Sequence, residues 1–225
     1  MSSSTTIPDV VARAQQTMGA SNQAIYALVA QAWERLSIEQ AVAVDVGCGT
    51  GGLRAFLPSS VARYVGVDLL RYDGFPEDAD FCQTDLDQCE IDLPADSADV
   101  AVSVETIEHL ENPRAFMREL VRLTKPGGWV VVTTPNQSSL LSLASLVIKG
   151  HFSAFGPKEY PAHLTALLEI DLIRIATECG LKDVFVTYSC QGRVVFTPWS
   201  FPRFLARLFP RRLSDNLLVA GRKVV

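Results

Sequence analysis

The chain has no C-x-x-C pair, no apolar run of membrane-spanning length and no surplus of basic residues. Each absence closes off a class of function. Its five cysteines, at positions 48, 82, 89, 179 and 190, are odd in number and scattered. That is a reduced, cytosolic pattern without the ligand spacing of a structural zinc. No apolar run approaches the roughly 18–20 residues that a bilayer span demands. Met1 to Thr6 is polar, with no basic region leading into an apolar core, so no secretory signal is predicted. With 20 basic against 25 acidic residues, the chain lacks the basic face that general nucleic-acid binding requires. What it does have is apolar content: 48% of its 225 residues are hydrophobic, enough to bury a substantial core. The expectation is a soluble, cytoplasmic protein made of one domain, residues 1–225.

The most informative stretch is Val44-Asp45-Val46-Gly47-Cys48-Gly49-Thr50-Gly51-Gly52. Residues 41–46 are β-branched or small and apolar apart from Asp45, which predicts a buried strand. Four glycines in the next six positions allow a tight turn and a close backbone approach to a ligand. Leu53 to Leu57 is predicted helical and stops before Pro58. Strand, glycine turn and helix start together describe a nucleotide-type site at the carboxyl end of a strand. Gly47, Gly49 and Gly52 also satisfy G-x-G-x-x-G, so the glycines alone do not separate dinucleotides from other ligands. Asp45 does: a carboxylate there repels a pyrophosphate and suits an ammonium group.

On these residues the chain resembles the class I S-adenosylmethionine-dependent methyltransferases, whose first motif reads like Asp45-x-Gly47-x-Gly49-x-Gly51. The resemblance implies an α/β fold, a doubly wound seven-stranded sheet of order 3-2-1-4-5-7-6 with the seventh strand antiparallel. It implies a cofactor site of Asp45, Gly47, Cys48, Gly49, Thr50, Gly51, Asp68, Leu69, Asp85, Leu86, Val104 and Glu105. Asp68 ends a second strand (62–67) about 20 residues after the first glycine, placed to accept from a ribose diol, with Leu69 beside the adenine. Asp85 and Leu86 follow a third strand (79–83). In the family, an acid and an apolar residue here contact the adenine.

The remaining elements read in order. Residues 8–37 are predicted as one or two helices broken near Gly19–Asn22, packed on the sheet or closing over the cofactor. Further strands are expected at 98–104, 129–134, 184–188 and 217–220, and helices at 113–124 and 165–179. Two inserted segments, 138–160 and 191–214, stand apart from this framework. The first carries Leu140, Leu141, Leu143, Leu146, Val147 and Ile148. The second joins Phe196, Trp199, Phe201, Phe204 and Phe209 to five arginines, with no acidic residue. It reads either as a pocket lid or as a peripheral membrane contact.

After the strand at 98–104 comes Glu105-x-x-Glu108-His109, at the end of the sheet where chemistry belongs. Residues three apart share a helical face, so both glutamates are expected to converge beside His109. Ubiquinone-pathway O-methyltransferases show a similar Glu-His pair and a later histidine, which His163 matches. Small-RNA 2′-O-methyltransferases use a comparable set for a divalent metal. The resemblance thus implies a Mg²⁺ or Mn²⁺ site of Glu105, Glu108, His109 and His163, or catalysis by His109 with Glu108, or a structural pair. The functional expectation is methylation of an oxygen on a small or lipid-linked acceptor, with no nucleic-acid partner. An NAD(P)-dependent oxidoreductase and a non-catalytic cofactor-binding or membrane-adaptor protein are the alternatives.

Overall fold

The computed structural model describes residues 19–36, 38, 40–88, 90–195 and 197–224. The expectations for residues 1–18, Cys89 and Phe196 lie outside these. Seven strands form one sheet: β1 (Ala41–Val46), β2 (Val61–Asp68), β3 (Asp80–Gln83), β4 (Ala98–Val104), β5 (Thr124–Pro135), β6 (Leu181–Tyr188) and β7 (Asn216–Lys223). Their order is β3-β2-β1-β4-β5-β7-β6. The first five pair in parallel, and β7 runs antiparallel to both β5 and β6. The helices are α1 (Gln23–Glu34), α2 (Pro113–Leu123), α3 (Leu140–Lys149), α4 (Glu169–Glu178) and α5 (Arg203–Leu208).

Side chains alternate across each strand, so one sheet builds two cores. On one face Val44, Val46, Val65 and Val67 pack with Phe116, Met117 and Leu120 of α2 and with Leu172 and Ile175 of α4. On the other, Ala43, Val100 and Val102 pack with Ile25, Leu28, Val29 and Trp33 of α1. Asn22 caps α1 by accepting from the Ala24 amide, and Asn112 caps α2 the same way from Ala115, ahead of Pro113 at the first turn. No helix among the described residues is long and apolar enough to cross a membrane.

The structure departs from expectation locally at four places. Gly52–Phe56 is a 3₁₀ turn rather than the start of an α-helix, because Leu57 is extended ahead of Pro58, where the α conformation is disfavoured. The β4–β5 ladder begins early, with Thr124 opposite Ala98, then shifts register before Trp129 meets Val100. Helix α4 starts at Glu169, not 165, since the Leu164 and Thr165 amides both donate to the Glu108 carbonyl and hold that stretch off the helix. Glu105 has a left-handed backbone, φ 50°, so it does not share a helical face with Glu108.

Candidate active site

The parallel strands β1, β2 and β4 end on one side of the sheet, and their loops enclose a cleft of about 510 Å³. The glycine turn is its floor. Gly47 and Cys48 donate their amides to the Val67 carbonyl at 2.8 and 3.2 Å, locking the turn onto β2. Gly47 has φ 81°, and a Cβ there would lie 2.2 Å from Thr106 Oγ1. Only glycine lets the turn sit against the end of β4.

Asp45 is buried at the end of β1. Its Oδ2 accepts from the Tyr64 hydroxyl at 2.5 Å, while Oδ1 has no hydrogen-bond partner among the described residues. Burial pushes its carboxyl up to about 7, the Tyr64 bond opposes that, and the nearby Asp68 charge adds to it. Asp68 accepts from the Gly49 amide (2.8 Å) through Oδ2 and from the Leu69 amide (2.7 Å) through Oδ1. It therefore ties the second strand to the glycine turn. Asp45, Gly47, Cys48, Gly49, Asp68, Leu69, Asp85, Leu86, Val104 and Glu105 all line the cleft. Thr50 and Gly51 do not. They line a separate depression with Arg54, Asp73 and Pro76, while the Thr50 amide donates to the carbonyl of Gly19, a cleft residue, at 2.7 Å.

Across the cleft stands an acid–imidazole group. Glu108, His109 and His163 each place a potential ligand atom within 4.8 Å of the others. His109 and His163 contact edge to face, with ring centroids 4.6 Å apart. His109 Nδ1 lies 2.8 Å from the Ala162 carbonyl and His163 Nδ1 lies 2.5 Å from that of Ala154. A carbonyl only accepts, so Nδ1 carries the proton on both rings and Nε2 carries the lone pair. Glu108 is fully buried: Oε2 accepts from Thr134 Oγ1 at 3.0 Å and Oε1 has no hydrogen-bond partner among the described residues. Burial pushes its carboxyl up to about 8. It also lowers the tendency of His163 to take a proton.

Glu105 is not one of the trio. Its carboxylate accepts from Thr133 Oγ1 (3.2 Å) and Asn216 Nδ2 (2.9 Å), which directs it toward β5 and β7. Burial, and then the Glu108 charge, raise its pKa well above the usual carboxylate range.

A family model for a methyltransferase domain matches residues 20–183, well over half of the chain. The chain belongs to that family. Within it, the chain resembles the ubiquinone biosynthesis O-methyltransferases of Idiomarina loihiensis (28% identical over 151 residues) and Rickettsia typhi (26% over 148). The matches cover 64% and 62% of this chain and 62% and 59% of those proteins, so the chain spans less than two thirds of either. Among solved structures, a SAM-dependent methyltransferase from Archaeoglobus fulgidus superposes with a TM-score of 0.66 at 17% identity, covering 93% of this chain and 97% of that one. The 1,6-didemethyltoxoflavin-N1-methyltransferase of Burkholderia thailandensis, solved with S-adenosylhomocysteine, gives 0.59 at 16% identity over 89% and 77%. These structures share the methyltransferase fold. Neither the oxidoreductase nor the non-catalytic adaptor finds support in these likenesses.

The cleft is also lined by residues that motif reading does not single out: Gly19 to Asn22, Tyr26, Tyr72, Lys158 and Glu159. The break at Gly19–Asn22 is visible in the sequence. Its docking on the glycine turn is a tertiary contact with no local signal.

Proposed function

We propose that this methyltransferase-family chain moves the methyl group of S-adenosylmethionine onto an oxygen of a small or lipid-linked acceptor. The observation that carries the reading is the Glu108–His109–His163 trio in the same cleft as the glycine turn. The cleft suits the cofactor. Asp45 offers a buried carboxylate oxygen to an ammonium, and Asp68 keeps lone-pair capacity for a ribose diol beyond its bonds to the Gly49, Leu69 and Leu70 amides. Asp85 and Leu86 supply an acid and an apolar edge for adenine. When bound, S-adenosylmethionine supplies a methyl group already activated on sulfonium.

The chain then has to align donor and acceptor and dispose of one proton. A carbon–oxygen bond forms as the carbon–sulfur bond breaks, the thioether leaves, and the acceptor's proton goes to His109 Nε2. Ala162, holding Nδ1–H, fixes the ring in the tautomer able to receive it. The same trio, two imidazoles and a buried carboxylate, is also a donor set for a divalent ion; without Glu105 it is rich in nitrogen, which suits Mn²⁺ or another transition metal better than Mg²⁺. Such an ion, held by Glu108, His109 and His163, would lower the pKa of the acceptor hydroxyl. His109 acts as base only where no ion claims its Nε2.

The homologues' names favour a phenolic or quinol-like acceptor. The aromatic and basic segment 191–214 is the part suited to peripheral contact with a membrane.

Labelled-methyl transfer into a lipid extract, with and without chelator, tests the reading. Methyl transfer to an extractable acceptor is expected. Failure of folded protein to bind S-adenosylmethionine in calorimetry would overturn it.

A further inference from the structure

Helix α3 is inside out. Its buried residues are Ser142 and Ser145, whereas Val147 is 85% and Ile148 60% exposed, beside exposed Leu140 and Leu146. The serines have work inside: Ser142 Oγ donates to Gln137 Oε1 at 2.9 Å and accepts from the Ser153 amide at 3.2 Å. Helix α5 repeats the arrangement. It buries Ala206 and exposes Phe204 (71%) and Leu208 (68%), with Phe209 and Trp199 exposed next to it.

The two helices belong to one surface. The Leu140 amide, at the start of α3, donates to the Arg212 carbonyl at 2.8 Å, and Arg212 Nη1 donates to the Ser138 carbonyl at 3.0 Å. Charge marks the same surface. Residues 138–160 and 191–214 hold seven of the chain's 20 basic residues and one, Glu159, of its 25 acidic ones. Arg193, Arg211 and Arg212 are engaged within the protein, with Asp215, Glu169 and the Ser138 carbonyl respectively. Arg203 and Arg207, among the exposed apolar residues of α5, form no ion pair with any described residue.

We infer that α3 and α5 form a docking face for an anionic phospholipid bilayer, and that it delivers a membrane-dissolved acceptor to the cleft. An exposed apolar face interleaved with guanidinium groups that no described acid pairs matches acyl chains below and phosphate headgroups above. A general nucleic-acid surface would want the basic residues without the aliphatic ones, and a water-facing lid would want neither. The face connects to the site. The chain leaving α3 carries Ala154, whose carbonyl holds His163, and Phe155, whose ring centroid is 5.3 Å from that of His163. This inference rests on the proposed acceptor chemistry for its purpose, but not for its test.

The test is flotation of the full chain with phosphatidylglycerol-containing and pure phosphatidylcholine vesicles, without cofactor or acceptor. The wild type is expected to float with the anionic vesicles at low salt, to be released as salt rises, and to ignore the neutral ones. The exposed pairs Val147→Glu with Ile148→Glu, and Arg203→Glu with Arg207→Glu, should each weaken partition by more than about tenfold. Their calorimetric affinity for S-adenosylmethionine should stay at the wild-type value. Trp199 gives a readout that needs no variant, a blue shift of emission on adding anionic vesicles. Wild type that stays below the vesicles, or α3 variants that float like wild type, would overturn the inference. So would a wild-type dimer dissolved by Val147→Glu with Ile148→Glu, which would make the face a contact between copies. Each of these results leaves methyl transfer untouched, whereas loss of cofactor binding in folded protein strikes methyl transfer alone.

Discussion

His109 and His163 commit the same ring nitrogen, Nδ1 in both, to main-chain carbonyls, those of Ala162 and Ala154. The two rings are in edge-to-face contact, and each has a potential ligand atom within 4.8 Å of one from Glu108. Neither ring can flip without losing a hydrogen bond inside the protein, so the trio is organised before anything binds.

His163→Ala should therefore remove one donor of a candidate metal site without disturbing the glycine turn. If Mg²⁺ or Mn²⁺ assists the reaction, manganese affinity should fall by about 10–100-fold or more while S-adenosylmethionine binding persists. Calorimetry with each ligand separately reads this. Unchanged turnover in chelator, with unchanged activity of the variant, would leave His109 as a base acting alone.

The pH dependence of stability follows from the buried acids. Asp45, raised to about 7, keeps a proton in the folded, empty protein that the unfolded chain has already lost above its ordinary 3.8. The native state then binds more protons than the unfolded one, so stability falls as pH rises from about 4 to about 7. Asp45 costs at most about 4 kcal/mol once that range is passed. Glu108, raised to about 8, has the same sign and extends the fall. The melting temperature of the cofactor-free protein should drop between pH 5 and about 8. Asp45→Asn should flatten the early part of that slope. An ammonium at Asp45 favours its charged form, so S-adenosylmethionine should bind more tightly as pH rises through about 7, releasing a proton below it. Calorimetry in buffers of different ionisation enthalpy measures that proton directly.

The framework of this site was readable because its elements are local. Ala41–Val46 and Ala98–Val104 are short runs of small and β-branched residues, dominated by alanine and valine, and both strands have those bounds. Asn112-Pro113 announces the start of α2 in the same way. The acid–imidazole trio was readable only as composition. Glu105 was expected beside Glu108 by helical spacing, but Thr133 and Asn216, 28 and 111 residues away in sequence, direct its carboxylate elsewhere. The carbonyls of Ala154 and Ala162 that orient the histidines have no side-chain signature at all. The exposed face of α3 was legible only in part, as an apolar segment outside the sheet framework that could help 191–214 to face a membrane. Its apolar residues are legible in the sequence, but that Ser142 turns inward to Gln137 and the Ser153 amide while Val147 and Ile148 face out is a tertiary result.

Gly47 and Gly74 make a matched pair for testing the glycine turn. Both have positive φ, 81° and 86°, so alanine strains either backbone by roughly 1–2 kcal/mol. At Gly74 a Cβ meets nothing within 4 Å, and the loss should end there. At Gly47 it would lie 2.2 Å from Thr106 Oγ1 and 2.5 Å from Cγ2, adding overpacking of about 1–3 kcal/mol. Denaturant unfolding of the two variants should separate them by that second amount. Equal losses would mean that the turn yields more easily than its packing implies.

Asp68 does two jobs in this reading, and substitution can divide them. Its carboxylate already accepts the backbone amides of Gly49 at 2.8 Å, Leu69 at 2.7 Å and Leu70, so it shapes the turn in the empty protein. The ribose diol would use the lone pairs that remain. Asp68→Asn keeps one acceptor oxygen and replaces the other with an amide that repels a backbone donor. Asp68→Ala removes both. If Asp68 only holds the turn, stability and cofactor affinity should decline together through the series. If it also holds ribose, Asp68→Ala should lose charge-assisted bonds to the ligand worth about 1.5–3 kcal/mol, or one to two decades of affinity. The 2′-deoxyribose analogue of the cofactor decides between these. It should bind wild type more weakly than the natural cofactor does, and that gap should close in Asp68→Ala. A gap of the same size in both proteins would place the diol on another residue and leave Asp68 as the clasp of the glycine turn.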